Sequence, residues 1–221
     1  IQFFLTIYVA RELGPENYGL WITIGAFVGI FRVLTFTGLD KVIIREGSKD
    51  VNNISVILED LIGVRNLCSI IAIIVCIMAS FFAPYTLQLK FYIIIFSSTL
   101  GIDGIKLFVG TIYHSTENFK YLAFLNIIDK LLFAVSAFGA LYLGYGLLGL
   151  LIASIGSNFL MLMLRYRISK RFAIFRLLSR LNIKKELLQQ GLTFSLLSFF
   201  GILAIRIDLL MLSFLGSPLE V

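Results

Sequence analysis

Arg11-Glu12-Leu13-Gly14-Pro15-Glu16-Asn17-Tyr18-Gly19 is the longest polar interruption in the first forty residues, and it parts two apolar runs that would otherwise merge. Pro15 lacks an N–H donor and biases Gly14 away from helix, so one helix is expected to end near Leu13 and another to start near Tyr18. The run before it, Ile1 to Ala10, is only about half a membrane span. It begins without a Met, which reads as a fragment of a longer chain. No basic segment precedes it, so a signal peptide is not indicated.

Working outward, the composition decides the class. Of 221 residues 59% are hydrophobic and 14% charged, with a mean hydropathy of +0.96, far outside the soluble range. Apolar runs repeatedly reach the ~20 residues that cross ~30 Å of hydrocarbon as helix, and alternating ten-residue barrel strands are absent. The expected fold is an all-α integral membrane protein, a polytopic helical bundle. Spans are expected at Ile1 to Ala10 (partial), Tyr18 to Gly38, Leu61 to Phe82, Phe91 to Tyr113, and from Tyr121 onward. From Leu131 to Leu164 there are 34 uncharged residues, about 51 Å as helix and too long for one crossing, so Gly144-Tyr145-Gly146 is expected to turn between spans five and six. A seventh span covers Leu187 to Leu215. Between spans two and three the stretch Asp40 to Asp60 reads as a mixed-charge loop, with a turn at Asn52-Asn53 before a short helix.

A basic stretch, about residues 165 to 186, follows span six. It holds Arg165, Arg167, Lys170, Arg171, Arg176, Arg180, Lys184 and Lys185, with Phe172, Phe175, Leu178 and Leu181 at helical spacing. This is the pattern of an amphipathic helix on an anionic membrane surface, and since spans flank it, no nucleic-acid partner is expected. Loops after spans two, four and six hold three, one and eight Lys or Arg, whereas those after one, three, five and seven hold one, one, none and none. The even loops therefore lie in the cytoplasm, and Arg11 to Asn17 faces outward.

Seven ionisable groups fall inside apolar runs: Arg32, Asp103, Lys106, Asp129, Lys130, Arg206 and Asp208. Each costs several kcal/mol in lipid unless it faces a partner or a wet cavity. Asp103 and Lys106, at i,i+3, share a helix face and read as a structural pair. Neither Asp129–Lys130 nor Arg206–Asp208 closes locally. Arg32, Lys130 and Arg206 are therefore left either to interhelical bridges with Asp129 and Asp208 or to a substrate. As substrate contacts these cations suit a phosphate or pyrophosphate, with Arg32 and Arg206 the first choices. No nucleophile, general base or metal-ligand set accompanies them; His114 stands alone, and Cys68 and Cys76, about 12 Å apart along one helix, cannot pair. Neither an enzyme nor a cofactor is indicated.

The two ends of the chain echo one another, Leu13-Gly14-Pro15-Glu16-Asn17-Tyr18-Gly19 against Leu215-Gly216-Ser217-Pro218-Leu219-Glu220-Val221, offset by 202 residues. This suggests a repeated six-span unit, with residues 1–186 as a first lobe and 187–221 as the start of a second. Ala10-Arg11-x-Leu13-Gly14-Pro15-x-x-Tyr18-Gly19, together with Gly38-Leu39-Asp40, Arg45, Leu187-Leu188-x-x-Gly191 and Asp208-x-x-Met211-x-x-x-Leu215-Gly216, resembles the polysaccharide biosynthesis protein family. That family includes O-antigen flippases of the Wzx type, in a superfamily that also holds multidrug extruders and lipid II flippases. The resemblance implies a two-lobe bundle of about 12 to 14 helices in the bacterial cytoplasmic membrane. It also implies translocation of an undecaprenyl-diphosphate-linked oligosaccharide to the outer leaflet, with cationic residues lining a central cavity. The expected partners are that lipid-linked substrate, the bilayer, and the glycosyltransferases and polymerase of glycan assembly. The energy source stays open between a proton and a sodium gradient. The competing functions are a multidrug or cation exporter of the same superfamily and a non-transporting scaffold for glycan assembly.

Overall fold

The computed structural model describes residues 2–36, 38–50 and 53–175, together with 189, 191, 193–195, 200 and 201. Among the described residues six helices make up the body: α1 (Gln2–Phe36), α2 (Leu39–Lys49), α3 (Ile54–Phe82), α4 (Leu87–Ser115), α5 (Phe119–Tyr142) and α6 (Gly146–Ser169). Five of them, all but α2, are long and apolar enough to cross a bilayer. The protein is thus an all-α, multi-pass membrane bundle. Most of the expected seventh span, including Arg206 and Asp208, and the second repeat of the opening motif lie outside the described residues.

The Gly14-Pro15 interruption is sharper than a loop. Gly14 takes φ 73° and ψ 169°, open to glycine but not to a residue with a Cβ, and helix resumes at once with Pro15, whose missing N–H no helical partner needs at that position. Asn17 Nδ2 donates to the Leu13 carbonyl at 3.2 Å, satisfying an acceptor that the first arm leaves open. Residues 2 and 25 would stand ~35 Å apart on a straight helix. Instead Gln2 and Thr6 line the same cavity as Trp21 and Gly25, so the arms fold back on each other as a hairpin.

The turn expected at Gly144-Tyr145-Gly146 is present, and its hydrogen bonds explain it. Tyr145 N–H reaches the Ala140 carbonyl at 3.1 Å and Gly144 N–H the Leu141 carbonyl at 2.9 Å, the paired bonds that close a helix on a left-handed residue, here Gly144 at φ 77°. α4 ends the same way on Glu117, at φ 55°, without the glycine that this geometry favours.

Four sequence expectations change. The stretch read as a loop from Asp40 contains α2, which buries Leu39, Val42, Ile43 and Gly47 against the bundle and turns Lys41, Arg45 and Lys49 outward. α3 begins at Ile54, seven residues before the expected span. Arg165, counted with the basic inner stretch, belongs to α6, where it is only 5% exposed. Residues 170–175 are not helical: Phe172 packs its ring on Tyr113 and Tyr121, and Phe175 on Phe108 and Tyr166. Residues 176–186 of the expected amphipathic helix lie outside the described residues.

α4 packs against each of the other five helices. Two apolar cores are strung along it. One joins Leu89, Ile93 and Leu100 to Phe27, Cys76, Leu141 and Leu150 towards the Gly14 end. The other joins Phe108, Ile112 and Tyr113 to Leu39, Leu58, Leu125 and Met161 at the α2 end. The residues of α4 between them, 101 to 107, meet a layer of charge instead.

Candidate functional site

That layer is built from residues that the helices bring to one level. Arg32 Nη2 donates to Asp103 Oδ2 at 2.8 Å across α1 and α4. Lys106 Nζ lies 3.2 Å from Asp103 Oδ1 and 3.3 Å from Asp129 Oδ2, and bonds Asn158 Oδ1. Arg165 Nη2 lies 3.5 Å from the same Asp129 oxygen and donates to Asn126 Oδ1 at 2.7 Å. Arg32, Asp103, Lys106, Asp129 and Arg165 therefore form one alternating chain across α1, α4, α5 and α6, three cations to two carboxylates. Burial makes such contacts strong and makes the loss of a partner costly.

Beside it stands a closed pair. Arg65, fully buried on α3, donates to Asp40 Oδ1 and Oδ2 of α2 at 3.0 and 3.3 Å, and through Nε and Nη2 to the Gly104 carbonyl at 3.1 and 2.8 Å. Gly104 is required for this approach, since a Cβ there would lie 2.8 Å from Ser69 Oγ and 3.6 Å from Arg65 Nε. Burial pushes the Asp40 carboxyl above its ordinary pKa, with the guanidinium of Arg65 pulling the other way.

At the edge of the layer is open space. A cavity of about 380 Å³ lies between the two arms of α1, α5 and α6. Tyr18, Trp21 and Gly25 from the second arm, Gln2 and Thr6 from the first, and Lys130 and Phe133 from α5 reach it. A second hollow of about 450 Å³ shares Gln2 and Lys130 and adds Asn126 and Asp129. The wall is mostly apolar with a few polar groups, the usual character of a small-ligand site. Tyr18, Trp21, Gly25, Gly29 and Arg32 recur at three- and four-residue steps along α1, so Arg32 stands at the inner end of the face that bounds the cavity.

This places the sequence candidates. Asp103 and Lys106 pair as their spacing implies, yet each also holds a second helix. Arg32 finds Asp103 rather than Asp129, and keeps 41% of its side chain exposed. Lys130, exposed at the cavity, has no carboxylate within 4 Å among the described residues. The polysaccharide biosynthesis protein family matches residues 1–221, the whole chain.

The chain belongs to that family.

No curated protein and no solved structure matches it. Family membership supports a role in polysaccharide synthesis or export, and the family is transporter-like rather than catalytic in general character. For this member of the polysaccharide biosynthesis protein family, sequence reasoning missed Asp40, Arg65 and Arg165. Arg65 stood inside an apolar run, Leu61-Ile62-Gly63-Val64-Arg65, and the test that selected Arg32 would have selected it. Arg165 was hidden by the basic residues after it, and Trp21, inside the second expected span, lines the cavity.

Proposed function

We propose that the chain is the first lobe of a two-lobe flippase in the bacterial cytoplasmic membrane, and that it carries an undecaprenyl-diphosphate-linked oligosaccharide from the inner to the outer leaflet by alternating access. The observation that carries this reading is the exposed Lys130 ammonium on the wall of an intramembrane cavity, in a chain of this family. A diphosphate answers such a charge, and the apolar walls strengthen the attraction by excluding water. Arg32 is the second ligand: it can turn to the diphosphate while Lys106 keeps Asp103 paired. Arg206, which lies outside the described residues, is the further cation that the sequence offers for the diphosphate. An exporter of cationic drugs would favour a surplus of acid at this level, whereas the surplus here is basic. The protein moves its substrate without chemistry, beside the glycosyltransferases and polymerase that make and use it.

The test is export from cells carrying the full-length protein. Arg32→Ala, Lys130→Ala and Arg206→Ala are each expected to reach the membrane in normal amounts and to lower surface polysaccharide about tenfold or more at limiting substrate, because each removes a charge-assisted contact. Normal export from all three would refute the assignment of these cations.

A further inference from the structure

We propose that the cavity at Lys130 is a saccharide subsite, which seats the sugar ring joined directly to the diphosphate; this rests on the transport reading above and extends it. Three features of the cavity point to a sugar rather than to the lipid tail.

The first is a hydrogen-bonding edge whose polarity is already set. Asn126 gives its Oδ1 to Arg165 at 2.7 Å, which fixes the amide so that its NH2 remains to donate. Asp129 commits Oδ2 to Lys106 and Arg165, and among the described residues Oδ1 makes no such contact. The hollow at these residues therefore offers a donor, an acceptor and the Lys130 ammonium side by side. Adjacent sugar hydroxyls, each both donor and acceptor, match that arrangement; an isoprenoid chain has nothing to give it.

The second is an aromatic wall. Trp21 and Phe133 lie with ring planes within 13° of parallel and centroids 6.5 Å apart, and Phe96 meets the indole edge-on at 5.6 Å, which fixes its orientation. Tyr18, one turn from Trp21, extends the wall outward. A pyranose presents an apolar C–H face to such rings while its hydroxyls reach the polar edge, and aromatic walls with a few fixed polar groups are how small ligands are oriented.

The third is room in the right place. At about 380 Å³ the cavity is within the range of small-ligand pockets. A Cβ on Gly25 would meet nothing within 4 Å, so the glycine keeps this space empty. The cavity runs from Lys130, near the middle of α5, towards the Gly14 turn. A diphosphate on Lys130 therefore puts its attached sugar on Trp21, on the side to which the glycan must leave.

The experiment measures binding to the full-length protein in nanodiscs. The probes are a short-chain polyprenyl diphosphate, bare or carrying one glucose, galactose or N-acetylglucosamine. The wild type is expected to bind at least one sugar-bearing probe about tenfold more tightly than the bare lipid. Gly25→Leu, which fills the cavity with a better helix former, and Trp21→Ala should each abolish that increment while leaving bare-lipid affinity within about twofold. If Trp21→Ala fails to fold, Gly25→Leu carries the test, because its new side chain enters open space. No increment for any sugar, or an increment that both variants retain, overturns the subsite and leaves the flippase reading standing. Bare lipid that does not bind the wild type overturns both.

Discussion

Asp40→Ala removes the carboxylate to which the buried guanidinium of Arg65 donates through two nitrogens, while two of its N–H groups stay on the Gly104 carbonyl. Breaking a buried ion pair from one side costs about 3–5 kcal/mol, most of it from the charge left behind. Two features place the loss at the lower end. Gly104 continues to solvate Arg65, and burial already opposes the ionised form of Asp40, so its removal relieves some desolvation. The expected loss is about 3 kcal/mol. Arg65→Leu leaves Asp40 17% exposed and able to take a proton, so its own penalty should be smaller. The double variant should be less destabilised than the sum of the two by about 2–3 kcal/mol, since both charges of the pair are then gone. Reversible unfolding of the full-length protein by dodecyl sulfate in mixed micelles measures all four corners of this cycle. Additivity within about 0.5 kcal/mol would refute the reasoning, since it would mean that α2 is not fastened to α3 through this pair.

Gly104→Ala should destabilise by about 1–3 kcal/mol in the same assay, because its Cβ would lie 2.8 Å from Ser69 Oγ, and adding Ser69→Ala should recover most of the loss. That rescue is expected because Ser69 Oγ is buried without a hydrogen-bond partner among the described residues, and no recovery would show that the close contact is not the cause. Glu117→Gly should stabilise the end of α4 by about 1 kcal/mol, since the left-handed backbone at φ 55° carries a strain that glycine does not; an unchanged unfolding midpoint would argue against strain there.

The sequence was most informative where the physics is local. Gly14-Pro15 and Gly144-Tyr145-Gly146 announce reversals through backbone preferences of single residues, and both reversals occur where expected. The pairing of Asp103 with Lys106 follows from one helical turn. Arg32 with Asp103 joins residues 71 apart, and Arg65 with Asp40 spans two helices through a glycine carbonyl. Which carboxylate each cation takes depends on how α1, α3 and α4 are rotated against each other, and periodicity in apolar runs does not specify that rotation. α2 was read as loop because its eleven residues are rich in charge. Its buried Leu39, Val42 and Ile43 become meaningful only once the α4 end they cover is in place. The cavity was invisible for the same reason, because its walls come from both arms of α1 and from α5 and α6.

The alternating charges have a direction. Each carboxylate in the row is held from two sides, Asp103 by Arg32 and Lys106, Asp129 by Lys106 and Arg165. Withdrawing Lys106 would leave both acids short of a partner at once, which locks α4 to α5 and α6. Withdrawing Arg32 leaves neither alone. The same holds for Arg165 at the other end, but Arg165 is buried and also donates to Asn126, whereas Arg32 keeps 41% of its side chain exposed, so α1 is the end of the row better placed to let go and be taken up again with the rest of the charges still in balance.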